Sequence, residues 1–165
     1  MPQLIDLRCA PISPGQGHAV GRALLREMVE CYTGAPMPPM AVTDRGKPYF
    51  PAGGLHFSIS HTPKHVFCAL SHAPIGIDAE EADRNLNPKL ADKILSPSEA
   101  LRYRAAPDKR EALLRLWVLK EARAKFTGQG LTGYPNHTDF SPDDPRVTVN
   151  HGCYLAVIQE EDYAL

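Results

Sequence analysis

The chain has 165 residues, of which 43% are apolar, and its 18 basic residues nearly balance its 19 acidic ones to a net charge of -1. This length suits a single unit with a buried core. The charge balance argues against a broad positive surface for nucleic acid or an anionic membrane, and no apolar run approaches the roughly 20 residues of a membrane span. Scattered cysteines and an N-terminus without the order of a signal peptide predict reduced thiols in a cytoplasmic protein.

The first half of the chain predicts one helix followed by short strands. Residues 17–32 place apolar side chains at helical spacing, and Gly34 and several prolines end that segment. Residues 44–55 are rich in glycine and proline and predict an ordered loop. Alternating or short apolar runs then predict strands over 55–60, 66–70 and 75–79.

The second half predicts helices followed by a strand pair. Short helices are expected over 87–94 and 97–105, the latter with Ser96 as its cap and Glu99 at its third position. The longest periodic segment, 108–127, ends at a glycine as a helix should. Residues 146–158 predict two strands around a turn. The order predicts an α+β fold of two comparable halves, 1–75 and 76–165, that meet near residues 75–80.

Two acidic residues lie two positions apart in the segment PIGIDAEE (74–81). In an extended segment Asp78 and Glu80 emerge on the same face, while Ile75 and Ile77 point to the other. A solvated strand face is one interpretation of this pattern. The other is a Mg²⁺ site, since Mg²⁺ prefers oxygen ligands and commonly takes one or two carboxylates together with substrate phosphates.

The long helix carries a charged pair inside an apolar stripe. Glu121 and Lys125 are four residues apart and share a face with Trp117. Ordinary helical ion pairs lie on polar faces, so this position favours a cleft over a surface pair.

Histidines and a basic loop precede these acids. Alternation in HFSISHT (56–62) places Ser60 on a polar face and His61 at the strand end, where an imidazole can donate to a phosphate. The histidines of this region lack the spacing of a helical or finger-type ligand set, which disfavours zinc. In the loop DRGKP (44–48), Lys47 beside Pro48 and Arg45 forms a candidate anion-binding group.

Taken in order, the segments RGKPYF, HFSISHT, GIDAE and WVLKEARAKFTGQGL resemble the motifs of the 4′-phosphopantetheinyl transferases, specifically the pseudo-dimeric surfactin-synthetase-activating type. The resemblance covers residues 44–131 firmly and the N-terminal helix loosely. It implies two similar halves, each with a helix on a small antiparallel sheet, related by a pseudo-twofold axis in a shortened form. It also implies a monomer, because two halves in one chain build one shared site.

The activity implied by the resemblance is transfer of the phosphopantetheine arm of coenzyme A to a serine of an apo acyl or peptidyl carrier protein, with release of 3′,5′-ADP. Asp78 and Glu121 would ligate Mg²⁺, with Glu80 completing or orienting the metal shell, and Glu121 would also be the general base. Lys125 and His61 would act on phosphates as catalytic and coenzyme-binding groups. The remaining implied coenzyme A contacts are Arg22, Lys47, Pro48 and Ser60.

The chain also departs from the family pattern. Its first 17 residues contain one basic residue, Arg8, where that type typically carries more to hold the 3′-phosphate. Weaker coenzyme A binding or an altered nucleotide preference is the expected result. This departure motivates a second hypothesis, a non-catalytic module that binds coenzyme A or a carrier protein. A third is another Mg²⁺-dependent enzyme acting on a nucleotide pyrophosphate.

Overall fold

The computed structural model describes residues 3–130 and 137–159, so Leu131, the last residue of the fourth motif, lies outside the described residues. The N-terminal half contains β1 (Leu4–Pro11), α1 (Gly17–Thr33), β2 (Ala41–Val42), β3 (Pro48–Tyr49), β4 (His56–His61) and β5 (His65–Ser71). The C-terminal half contains β6 (Ile75–Glu81), α2 (Leu90–Ile94), α3 (Pro97–Ala105), α4 (Lys109–Thr127), β7 (Val147–Asn150) and β8 (Cys153–Gln159).

Local sequence signals set the helix ends. Helix α3 begins with the expected capping box, in which Ser96 and Glu99 satisfy each other's backbone N–H groups. The Asp108 side chain accepts from the backbone N–H of Glu111 and so begins α4. Gly34 and Gly128 end α1 and α4 in the left-handed conformation, at φ 69° and 73°.

Both halves share one connectivity. The first sheet has the order β1-β5-β4 and the second β6-β8-β7, and every strand pair in them is antiparallel. In each three-stranded sheet the first strand in sequence lies at one edge and the last lies in the middle, and a long helix, α1 or α4, stands between the first strand and the other two in sequence. The β2–β3 hairpin in the first half and the short helices α2 and α3 in the second are additions to this shared order. This arrangement confirms the α+β class, while the twofold relation between the halves stays a prediction.

The two sheets pack together through an apolar layer, with α1 and α4 on their outer faces. Phe67 and Ala69 of β5 pack there against Ile75 and Ile77 of β6 and Leu155 of β8. The opposite face of β5 packs on α1, and the opposite face of β8 packs on α4. Burial on both faces explains why β5 is an almost continuous apolar run.

Serine side chains of β4 join the two three-stranded sheets at adjacent edges by hydrogen bonds to the backbone of β6. Strand β4 is an edge of the first sheet and β6 an edge of the second. The Ser58 hydroxyl accepts from the backbone N–H of Ile77, and the Ser60 hydroxyl accepts from that of Ala79, both at 3.0 Å. These bonds satisfy donors that would otherwise be unpaired on a buried edge.

Three details differ from the sequence-based expectations. Strand β1 was not predicted, because its Asp6 and Arg8 interrupt the apolar pattern and pair with each other. The expected loop 44–55 contains β3, which closes a two-stranded hairpin with β2. The helix expected over 87–94 begins only at Leu90, since Asn87 and Pro88 form a turn before it.

Within residues 3–130 and 137–159, no helix has the length and apolarity that crossing a membrane requires.

Candidate active site

Helix α4 lies directly on β6 because Gly76 has no side chain. A Cβ atom built on Gly76 would lie 2.1 Å from the backbone oxygen of Ala122 and 2.4 Å from the backbone nitrogen of Phe126. This close approach brings the α4 residues Glu121 and Lys125 to the carboxylates of β6. Asp78 of β6 and Glu121 of α4, 43 residues apart in sequence, therefore lie near each other, with Lys125 beside them.

Asp78 is the most constrained acid of this site. Its side chain is 9% exposed, and its Oδ1 accepts from Lys125 Nζ at 3.0 Å and from Ser60 Oγ at 3.1 Å. Its Oδ2 is buried and, among the described residues, has no hydrogen-bond partner. Burial raises the pKa of Asp78, and the nearby Lys125 ammonium offsets only part of that rise. An unpaired buried oxygen costs about 1–3 kcal/mol, which points to a ligand for this atom.

The other two acids lie close enough to act on Asp78 electrostatically. Burial raises the pKa of Glu121, and the negative charge of Asp78 raises it further. Glu80 accepts a hydrogen bond from Trp117 Nε1 at 3.2 Å and forms an ion pair with Arg84. A like charge nearby disfavours ionisation, so the site concentrates negative charge that a cation would relieve.

The predicted metal ligands nevertheless do not form a tight cluster. The ligand atoms of Asp78, Glu80 and Glu121 are not all within 4.8 Å of one another; among the described residues only His65, Glu81 and Cys153 meet that condition. In this structure Lys125 pairs with Asp78, and Arg84 pairs with Glu80. The all-oxygen donor set and the unpaired Oδ2 of Asp78 still fit a hard divalent cation such as Mg²⁺.

A cavity of about 290 Å³ opens beside this group, between the β2–β3 hairpin, β4 and the end of α4. Residues from both halves line it: Arg45, Gly46, Lys47, Pro48, Phe57, Ser58, Ile59, Glu121, Ala124, Lys125, Gly128 and Gly130. The cavity therefore has basic side chains on the hairpin and one carboxylate with one ammonium on the helix.

The basic residues of the hairpin hold the end of α4. Lys47 Nζ donates to the backbone oxygen of Phe126 at 3.0 Å, and Arg45 Nη1 donates to that of Gln129 at 3.0 Å. Burial lowers the pKa of Lys47. The C-terminal carbonyls of a helix carry partial negative charge, so the contact of Lys47 with Phe126 is favourable, while Arg45 bonds to the segment just after the helix. Arg45 and Lys47 thus line the cavity while they donate hydrogen bonds to backbone carbonyls.

Other predicted site residues lie apart from the cavity lining. The Ser60 hydroxyl is bonded to Asp78 and to the backbone of Ala79, so it positions the acid. His61 is exposed at the end of β4, and its ring lies against the backbone of Gly17 at the start of α1. Arg22 lies in a groove along α1, with Nη1 3.4 Å from Met40 Sδ.

One buried pair behind the site was not predicted. Lys120 Nζ donates to Glu99 Oε1 at 2.6 Å, and both side chains are almost fully buried. Glu99 also accepts from the Thr138 hydroxyl and from the backbone N–H groups of Ser96 and Phe140. Although burial opposes it, these hydrogen bonds hold the pKa of Glu99 below its usual value. The available signal was the position of Lys120 directly after the apolar run LWVL (116–119) of α4.

Comparison with protein families identifies the C-terminal half. Residues 74–163, more than half of the chain, match the model of the 4′-phosphopantetheinyl transferase superfamily. The chain belongs to this superfamily. The match spans Asp78, Glu80, Glu121 and Lys125, and it confirms the resemblance inferred from the motifs.

Individual members of the superfamily are similar over different lengths. A 4′-phosphopantetheinyl transferase of Bacillus subtilis is 37% identical over 94 residues, which are 55% of this chain and 42% of that protein. The 4′-phosphopantetheinyl transferase psf-1 of Bacillus pumilus is 28% identical over 152 residues, 88% of this chain and 65% of that protein. The 4′-phosphopantetheinyl transferase HetI of Nostoc sp. is 34% identical over 122 residues, which are 67% of this chain and 51% of that protein. The chain spans less than two thirds of the length of each of these relatives.

Proposed function

We propose that this chain transfers the 4′-phosphopantetheine arm of coenzyme A to a serine hydroxyl of an apo acyl or peptidyl carrier protein, in a Mg²⁺-dependent reaction that releases 3′,5′-ADP. Membership of the superfamily supports the transfer itself. The observation that carries the proposal is the buried, incompletely bonded carboxylate of Asp78 beside Lys125, next to a cavity that Glu121 also lines.

Asp78, Glu80 and Glu121 would hold the Mg²⁺ ion. When bound, the ion would neutralise negative charge on the pyrophosphate oxygens of coenzyme A. Asp78 Oδ2 suits the ligand role because it is buried without a hydrogen-bond partner among the described residues. Ser60 fixes the orientation of this carboxylate through its bond to Oδ1.

Glu121 would accept the proton of the attacking serine. In the proposed reaction the serine Oγ forms a bond to the β-phosphorus of coenzyme A, and the bond from that phosphorus to the bridging oxygen breaks. The serine proton passes to a carboxylate oxygen of Glu121, directly or through water, and 3′,5′-ADP leaves. Because burial raises the pKa of Glu121, its carboxylate is a stronger base than an exposed glutamate.

The cations would hold the phosphates. Lys125, whose side chain is 34% exposed beside the cavity, would donate to the pyrophosphate as charge develops on it. Lys47 and Pro48 would line the nucleotide end of the cavity. The ring of His61, at the end of β4, lies beside the start of α1, which has no side-chain cap from Gln16, and would bind a phosphate there. Arg22, on the same helix, would make a further coenzyme A contact.

The direct test is mass spectrometry of an apo carrier protein incubated with this chain, coenzyme A and Mg²⁺. We expect the carrier to gain the mass of the phosphopantetheine arm. The Glu121→Gln variant should lose this transfer, whereas Glu111→Gln, a matched change in the first turn of the same helix, should retain it. Equal transfer by both variants would remove Glu121 from the proposed mechanism. No mass gain across several carriers would refute the transferase proposal.

A non-catalytic module that binds coenzyme A or a carrier protein is the second candidate. It is favoured by the separation of the three carboxylates and by the Lys125–Asp78 ion pair, which occupies one metal-ligand oxygen. Calorimetry distinguishes the two candidates, because a binding module would bind coenzyme A tightly without modifying any carrier.

We also propose that the protein is a cytoplasmic monomer. Residues from both halves of one chain line the cavity, so a second copy is not needed to complete it. All four cysteines are free thiols, as expected in a reducing compartment. Light scattering at assay concentrations tests the oligomeric state, and a stable dimer would contradict it.

A further inference from the structure

A second group of metal-ligating side chains lies outside the proposed active site. It consists of His65 at the start of β5, Glu81 at the end of β6 and Cys153 at the start of β8. One ligand atom from each residue lies within 4.8 Å of the others. The three residues come from three strands and from both halves of the chain, so no sequence spacing connects them.

The distances between these atoms resemble those around a tetrahedral zinc ion. Cys153 Sγ is 3.6 Å from His65 Nδ1 and 3.3 Å from Glu81 Oε2, and His65 Nδ1 is 2.8 Å from Glu81 Oε1. With zinc–sulfur bonds of about 2.3 Å and zinc–nitrogen or zinc–oxygen bonds of about 2.0 Å, tetrahedral ligands lie roughly 3.3–3.5 Å apart. The His65–Glu81 distance must open by about 0.5 Å. Because Cys153 and His65 contact different oxygens of Glu81, this carboxylate must also rotate to present one oxygen to the ion.

Thr62 orients the His65, Glu81 and Cys153 group, and the His65 side of the group is exposed to solvent. Thr62 Oγ1 donates to Glu81 Oε1 at 2.7 Å and accepts from the backbone N–H of His65, so one hydroxyl orients two candidate ligands. Cys153 is fully buried, but the side chains of His65 and Glu81 remain 22% and 13% exposed. An ion could therefore enter from the side of His65.

This group is separate from the carboxylates of the proposed active site. Successive side chains of a strand point to opposite faces, and Glu80 contacts Trp117 of α4 while Glu81 contacts His65 and Cys153. A soft thiolate with an imidazole selects zinc-like ions, whereas an all-carboxylate set suits Mg²⁺. The two sites thus differ in their metal preference.

We propose that His65, Glu81 and Cys153 form a second metal site, which binds Zn²⁺ or a similar thiophilic divalent ion with one coordination position left for water. Binding would connect β5 of the first half to β6 and β8 of the second and so fix the halves relative to each other. The inference does not rest on the proposed transfer. In the metal-free protein the Cys153 thiol donates a hydrogen bond to Glu81, and burial together with that carboxylate raises the pKa of Cys153 to about 12. The ion must displace the thiol proton into solvent, which lowers the apparent affinity.

Titration of the Mg²⁺-free full chain with Co²⁺ tests the site, because only a thiolate ligand gives a sulfur-to-cobalt absorption band in the near ultraviolet. We expect this band to saturate at one equivalent of Co²⁺ and to disappear in Cys153→Ser. It should persist in Cys31→Ser, which changes an exposed cysteine. A missing band in the wild-type chain, or an intact band in Cys153→Ser, would overturn the proposal.

A thermal measurement covers the case in which Cys153→Ser does not fold. Zn²⁺ should raise the melting temperature of the wild-type chain, and His65→Gln should weaken Zn²⁺ binding more than tenfold, since even residues that merely orient ligands cost about 10–100-fold in affinity. The matched control is His18→Gln, on an exposed histidine, which should respond to Zn²⁺ like the wild type. An unchanged response in His65→Gln would place the ion elsewhere and refute the site.

Discussion

Substitution of Gly76 by alanine tests whether the close packing of α4 on β6 builds the active site. The added Cβ would lie 2.1 Å from the backbone oxygen of Ala122, whereas ordinary van der Waals contacts begin near 3.4 Å. Helix and strand must therefore separate by about 1.3 Å, the difference between those distances. The colliding atoms belong to the backbone of α4, so no change of rotamer relieves the contact.

The expected loss of folding stability in Gly76→Ala is large for the addition of a single methyl group. Overpacking of a well-packed core costs about 1–3 kcal/mol, and a backbone collision belongs at the upper end of that range. For a chain of this size, about 3 kcal/mol lowers the melting temperature by roughly 6–12 °C. A displacement of about 1 Å also costs on the order of 100-fold in rate when it separates catalytic groups. Here it would move Glu121 and Lys125 away from Asp78.

Urea unfolding and carrier modification should be measured on Gly76→Ala and on Gly21→Ala as its control. At Gly21 the new Cβ would meet only the side-chain methyl groups of Ile59 and Val66, at 3.0 and 3.2 Å, and alanine favours the helix by about 1 kcal/mol. We expect near-neutral stability for Gly21→Ala and losses of both stability and transfer for Gly76→Ala. Wild-type stability in Gly76→Ala would refute the packing argument, and wild-type transfer with reduced stability would refute its link to the site.

Three further predictions concern the groups behind and beside the cavity. Lys120→Met should lower the free energy of unfolding by about 3–5 kcal/mol, because it leaves the charge of Glu99 buried without its partner. The double variant Lys120→Met/Glu99→Gln removes that charge but keeps an amide oxygen as acceptor for the Ser96 and Phe140 N–H groups, so it should recover part of the loss in urea unfolding, and a double variant as unstable as the single one would contradict this explanation. Because the pKa of Glu99 lies below its unfolded value of 4.5, its contribution to stability is complete above that pH and is lost as the pH falls through the lowered pKa. Unfolding measured between about pH 6 and pH 3 should therefore show a shallower pH dependence in Glu99→Gln than in the wild type, and equal slopes would count against the assignment. Lys47→Met keeps the aliphatic part of the side chain but removes the hydrogen bond to the Phe126 carbonyl. It should lower the free energy of unfolding by roughly 0.5–1 kcal/mol and raise the KM for coenzyme A. An unchanged KM would exclude Lys47 from the binding site.

The fold was predictable where local signals are strong. The long apolar pattern and the terminal Gly128 predicted α4, and the Ser96-Pro97 start with Glu99 predicted α3, because caps and periodicity act within a few residues. Strand β1 and the β2–β3 hairpin were not predicted, because β1 carries charged residues and the hairpin strands are only two residues long. Their pairing depends on neighbours distant in the chain.

The candidate site was predictable in its residue types more than in its contacts. The motifs selected Asp78, Glu121 and Lys125, which the structure places together. They did not predict that Lys125 pairs with Asp78. The hairpin cations were likewise predicted as anion-binding groups, yet Arg45 and Lys47 bond to carbonyls at the end of α4.

The sequence alone determined which faces of the strands and helices carry charge, where α3 and α4 begin and end, and the ordered motifs of the superfamily. The tertiary structure decided which charges meet: Lys125 with Asp78, Lys120 with Glu99, and His65 with Glu81 and Cys153. The physical reason is that periodicity reports the direction of a side chain from its own backbone. The partner of that side chain depends on how separate elements pack, here on the contact between α4 and β6 that Gly76 permits.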